Sequence, residues 1–167
     1  LNSTNNTIYS LNDALVQKPE LINGSNGMTS VFFDGHDFIP INGSVFVNTD
    51  YSIFIVEKKS NDYYFERNCQ YFIAGKRSEK NKNLHIGYRK EDEFTVDHFN
   101  NGVNVNLFEK AENVGDKKIP VLWTATFSTE KGVKLYKGGS LLRSAPYMTD
   151  PLIEFEAASI GKYEENG

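Results

Sequence analysis

Two carboxylates stand two residues apart in Glu154-Phe155-Glu156, and again in Glu91-Asp92-Glu93. In a strand that spacing puts both on one face, an arrangement that could flank a glycosidic bond as acid and base. A plainer reading competes in each case. Residues 90–93 read as a charged turn, and paired glutamates on a strand are ordinary on a solvated face. The histidines, His36, His85 and His98, share no metal-ligand spacing, and His85 sits in an alternating strand where a hydrogen-bonded or solvent-facing imidazole is the usual state. No nucleophile elbow, phosphate loop or dinucleotide fingerprint occurs. The single cysteine, Cys69, rules out an intrachain disulfide framework and a Cys-rich zinc module. The expectation is a protein that is not an enzyme.

Aromatic platforms are the other chemistry on offer. Tyr63, Tyr64 and Tyr71 bracket a polar stretch containing Arg67 and Asn68, and Tyr88-Arg89 ends another strand. Rings with polar handles beside guanidinium donors suit a sugar or a protein surface, so Tyr63, Tyr64, Arg67, Tyr88 and Arg89 are the candidate ligand-binding residues. A tyrosine row on a sheet more often packs a core or covers an edge. The basic stretch from Lys76 to Lys82 reads as a solvated hairpin loop, with an anionic glycan as its functional alternative.

These residues hang on a succession of short strands. Val31–Phe33, Phe38–Ile41, Tyr51–Glu57, Tyr63–Phe65, Tyr71–Ala74, Leu84–Tyr88, Phe94–Phe99, Val103–Leu107, Pro120–Phe127, Val133–Tyr136, Leu141–Leu142 and Ala158–Tyr163 are rich in aromatic and β-branched residues and are separated by Gly, Asn and Asp turns. Asn100-Asn101-Gly102 is a strong hairpin signal. Only Leu11–Gln17 hints at a helical turn. Strand follows strand without βαβ alternation, so the class is all-β, an antiparallel sandwich or barrel.

Bulk properties narrow the partners. A net charge of −4 argues against a nucleic-acid surface, and no apolar run is long enough for a membrane span. The length of 167 residues suits one domain over 1–167. Asn-x-Ser/Thr sequons occur at Asn2, Asn5, Asn23 and Asn42, but asparagine is so common here that chance explains much of this.

Several short motifs occur in a telling order. They are Ser30-Val31-Phe32-Phe33-Asp34-Gly35-His36-Asp37-Phe38, the strand Tyr51–Lys58, Tyr71–Gly75 and Leu84-His85-Ile86-Gly87-Tyr88-Arg89. The hairpin from Leu122-Trp123 to Tyr136-Lys137-Gly138-Gly139 and the strand Ala158–Tyr163 complete the series. Together, over about residues 28–163, they resemble the laminin G-like domains of the concanavalin A-like lectin/glucanase class. The resemblance implies a jelly-roll β-sandwich, with Trp123 and Tyr136 as core anchors. It also implies calcium at a rim, held by Asp side chains and carbonyls. Asp34 and Asp37 are the metal candidates, with Asp97 on a separate strand, although Asp34-Gly35 is a turn signature in its own right. The catalytic pattern of the class, Glu-x-Asp-x-x-Glu, is absent.

The expected function is therefore a non-catalytic binding or adhesion module of a secreted or surface protein, taking a glycan or protein ligand. The alternative is a structural module of an appendage, pilus, coat or fibre, assembling into oligomers through strand edges. The family's opening and closing strands are not visible in 1–167, which suggests a fragment of a longer protein.

Overall fold

The computed structural model describes residues 19–24, 27–34, 37–58, 70–75, 82–90, 93–100, 103–110, 119–145, 151–152, 155 and 157–161. The expected helical turn at Leu11–Gln17 and the strand at Tyr63–Phe65 lie outside them. Among the described residues there is no α-helix, and none is long and apolar enough to cross a membrane. The strands are β1 (Glu20–Asn23), β2 (Thr29–Phe32), β3 (Ile39–Asn42), β4 (Tyr51–Glu57), β5 (Gln70–Gly75), β6 (Lys82–Lys90), β7 (Glu93–Asn100), β8 (Val103–Lys110), β9 (Val121–Ser128), β10 (Gly132–Lys137), β11 (Ser140–Ala145) and β12 (Ala157–Ile160).

They form antiparallel sheets: a four-stranded one in the order β11-β10-β9-β4, a six-stranded one in the order β3-β12-β5-β6-β7-β8, and the separate hairpin β1-β2. The all-β expectation holds, and strand-to-strand turns explain why. Between β10 and β11, Gly138 and Gly139 both have positive φ, 55° and 84°, which a tight two-residue hairpin requires at its central positions. A 3-10 turn, Gly43–Phe46, follows β3, and the Asn42 side chain accepts a hydrogen bond from the Ser44 amide to cap it.

The two large sheets face each other across one hydrophobic core. Alternation decides which side chains enter it. On β9, Trp123, Ala125 and Phe127 are buried while Leu122, Thr124, Thr126 and Ser128 face out; on β10, Val133 and Leu135 go in. Opposite them the six-stranded sheet supplies Ile73, Leu84, Ile86, Tyr88, Phe94, Val96 and Leu107.

Two aromatic stacks fasten the sheets together. At one end Trp123 lies flat on Phe94, with centroids 3.9 Å apart and planes 10° from parallel, and Tyr88 meets Phe94 edge-on. At the other, the imidazole of His98 stacks on Phe127 at 4.4 Å, and Tyr51 stacks on Phe127 at 5.3 Å. The Tyr51 hydroxyl and His98 Nδ1 share a hydrogen bond of 2.9 Å between the sheets. The Tyr88 hydroxyl donates to Glu57 Oε1 at 2.6 Å, and Trp123 Nε1 reaches the same oxygen at 3.2 Å.

Burial pushes both phenols well above the usual tyrosine range, and at Tyr88 the Glu57 carboxylate adds to the shift. The sign follows. Below the unfolded value of about 10 both states keep their protons and the full stability is present. Above it the unfolded chain ionises first while the folded one does not, so stability falls by about 1.4 kcal/mol per pH unit for each tyrosine. Urea unfolding followed through the alkaline range should show this slope, and Tyr51→Phe or Tyr88→Phe should each remove one tyrosine's share.

Candidate ligand-binding face

The outer face of the four-stranded sheet carries a row of hydroxyls. Register sets them side by side: Ser52 on β4 lies opposite Thr126 on β9, which lies opposite Lys134 on β10. The next row is Phe54, Thr124 and Tyr136, and the one beyond it pairs Val56 with Leu122. A shallow depression of about 440 Å³ opens over this face, lined among others by Asp50, Ser52, Thr126, Lys131, Lys134 and Tyr136. Beside it Phe54 and Val56 are 69% and 74% exposed.

Asp50 closes one end of the depression. Its Oδ1 accepts the Thr129 amide at 3.1 Å, bridging from the start of β4 to the β9–β10 turn. That backbone hydrogen bond, helped by the hydroxyls of Ser128 and Thr129, holds the Asp50 carboxyl below the usual carboxylate range, so it stays ionised through neutral pH. The two lysines, the hydroxyls and Asp50 give donors and acceptors around a ring and an apolar strip. That mixture can hold a sugar, whose hydroxyls need hydrogen bonds and whose C–H face needs an apolar surface.

On the opposite outer face, that of the six-stranded sheet, several described polar side chains are buried. Thr95 and Asp97 on β7 and Ser159 on β12 point away from the core and are still buried. The Thr95 hydroxyl has Asp97 Oδ1 at 2.8 Å and the Leu107 carbonyl at 3.2 Å as acceptors for its one proton, and His85 Nδ1 stands 3.8 Å from Asp97 Oδ2. These groups make a packed polar layer.

Only some of the residues singled out from sequence fall among the described ones. Tyr63, Tyr64 and Arg67 lie outside the described residues, as do Cys69, Glu154 and Glu156. Arg89 is placed by its backbone at the end of β6. Tyr88 corrects the expectation of a platform: it is 3% exposed, because Leu84, Ile86 and Tyr88 share the inward face of β6, and it offers no ring face to a ligand. Tyr136 corrects in the other direction. Leu135 takes the buried place, so Tyr136 turns outward beside Thr124.

Asp34 and Asp37 do come together. Asp37 is buried and its Oδ2 accepts the Asp34 amide at 3.0 Å, while Asp34 itself is exposed. Among the described residues no group of three or more His, Cys, Asp or Glu is placed to hold a metal ion. Ser52, Thr126, Lys134 and Tyr136 were not among the sequence candidates. Their signal was the outward half of β4 and β9, which up to their ends carries hydroxyls and apolar groups where a plain solvated face would carry charge.

No protein-family model matches the chain, and no curated protein matches it either.

Proposed function

We propose that the chain is a non-catalytic binding module of the concanavalin A-like class, taking a glycan on the outer face of its four-stranded sheet, in a secreted or cell-surface protein. The observation that carries this reading is the depression lined by Ser52, Thr126, Lys131, Lys134 and Tyr136 next to exposed Phe54. Hydroxyls and ammonium groups there match sugar hydroxyls, and the tyrosine and phenylalanine rings match the apolar side of a pyranose. A calcium ion held by Asp34 and Asp37 at the rim remains part of the proposal, as a structural ion rather than a catalyst.

A glycan array with and without calcium tests it, followed by titration calorimetry on any hit. Tyr136→Ala and Lys134→Ala should each weaken binding by roughly tenfold, about 1.4 kcal/mol. Both side chains lie outside the core, so the melting temperature should hardly move. A blank array, or a hit that neither substitution weakens, would overturn the assignment of this face.

A second reading rests on a different observation. Every residue of β1 and β2 is exposed, including Leu21, Ile22, Val31 and Phe32. A two-stranded hairpin with an apolar surface is marginal alone and suits a structural module that buries it on assembly, with no small ligand.

A further inference from the structure

Among the described residues, four strands end the two large sheets: β3, β8, β11 and β4. Three of them carry devices that discourage further pairing. β3 has four residues and contains Pro40, which has no amide hydrogen to donate. The sequence of β8, Val-Asn-Val-Asn-Leu-Phe-Glu-Lys, alternates with asparagine and ends on two charged residues. β11 carries an exposed Arg143 and meets β10 through a register shift at Leu135/Tyr136, which adds local twist.

β4 has none of these. It runs seven residues, Tyr-Ser-Ile-Phe-Ile-Val-Glu, uncharged up to Val56, without Pro or Gly, and with no register shift against β9. Its outward Phe54 and Val56 are among the most exposed large hydrophobic residues described. A long, regular, apolar edge is a template for another strand.

We propose that β4 pairs antiparallel with β4 of a second copy of this chain, about a two-fold axis through Phe54. The charges flanking the strand select that occupant. With Phe54 opposite the partner's Phe54, Ser52 faces the partner's Val56 and Ile53 faces the partner's Ile55. One step beyond the strand, Asp50 meets the partner's Lys58, and by symmetry Lys58 meets the partner's Asp50. Asp50 and Lys58 are both exposed. The only register that pairs the full strand with itself thus also matches opposite charges at both ends, while a slipped register loses both pairs.

Directly opposed residues share a face, so Phe54 and Val56 form an apolar seam outside, and half-buried Ile55 is covered inside. The two four-stranded sheets become one of eight. Seven residues span about 23 Å, a contact at the small end of stable interfaces, so the dimer should be weak and concentration-dependent. The pairing stands whether or not the outer face binds a glycan.

Sedimentation equilibrium of the ligand-free chain, from micromolar to millimolar concentration, tests this. The expected result is a monomer–dimer equilibrium that Phe54→Lys and Lys58→Glu each weaken by about tenfold or more, through like charges brought opposite one another. Both side chains are exposed, so the melting temperature of the dilute monomer should stay unchanged, which separates lost pairing from lost folding. A chain that stays monomeric to millimolar concentration would overturn the proposal, as would a dimer indifferent to both substitutions. Hydrogen exchange adds an independent readout: outward-facing β4 amides should gain protection only as the dimer forms. Protection already complete in the dilute monomer would mean that the chain covers this edge itself, which also overturns the proposal.

Discussion

Trp123→Ala should destabilise the protein by about 3–5 kcal/mol, measured as a lower urea midpoint at unchanged slope. The indole is 1% exposed and lies flat on Phe94, so truncation opens a cavity between the two sheets. It also removes the Nε1 donor from Glu57 Oε1, leaving the Tyr88 hydroxyl as the described partner of that oxygen. The Lys137 ammonium, 5.9 Å from the indole centroid, loses its ring as well. Domains of this size are stable by about 5–15 kcal/mol in total, so the variant should sit close to unfolding at room temperature. Trp123→Phe keeps most of the stacked surface and gives up the indole donor and some volume, and should cost less than half as much. If Trp123→Ala lost less than about 1 kcal/mol, the stack would not be what joins the sheets.

Asn83→Ala should cost about 2–5 kcal/mol, for a different reason. Asn83 is 1% exposed, and its Oδ1 accepts both the Gly75 amide at 3.0 Å and the Leu84 amide at 2.8 Å. Without that oxygen two buried backbone donors lose their acceptor, at about 1–3 kcal/mol each. The arrangement explains Gly75 too. A Cβ at this position would collide with the Asn83 amide oxygen and with the Phe155 ring, so glycine is what lets the asparagine come so close. Gly75→Ala should therefore be destabilising, and the double variant Gly75→Ala/Asn83→Ala should lose less than the sum of the two. Additive losses in that cycle would show that the two residues act independently.

How much of this was legible beforehand varies from strand to strand. Tyr51–Glu57 was recovered to the residue, because an unbroken aromatic and β-branched run bounded by charge has no helical competitor. The β9–β10 hairpin was equally plain from its turn residues. β1 was missed, since Glu20–Asn23 is only four residues and its apolar pair is exposed, which gives no burial pattern to read. Tyr88 and Tyr136 show the limit most clearly. Both sit in aromatic strands beside charged or polar neighbours, and the two faces of such a strand look alike until something packs on one of them. Tyr88 shares its face with Leu84 and Ile86 and goes inside; Tyr136 alternates with Leu135 and stays out.

The candidate face was less legible than the fold. Asp50 and Thr129 are 79 positions apart, and Ser52, Thr126 and Lys134 come from three strands. No local pattern in the chain announces that these hydroxyls and the lysine will share a row. Side-chain period and turn chemistry are local properties, so the amino-acid sequence by itself determined that this is an all-β chain and where most of its strands lie. Strand order, register and the choice of buried face depend on contacts between distant segments. Only the tertiary structure decided that Tyr88 ties the sheets together, that Asp37 is buried and accepts the Asp34 amide, and that the outer surface of β4, β9 and β10 presents the hydroxyl-lined depression.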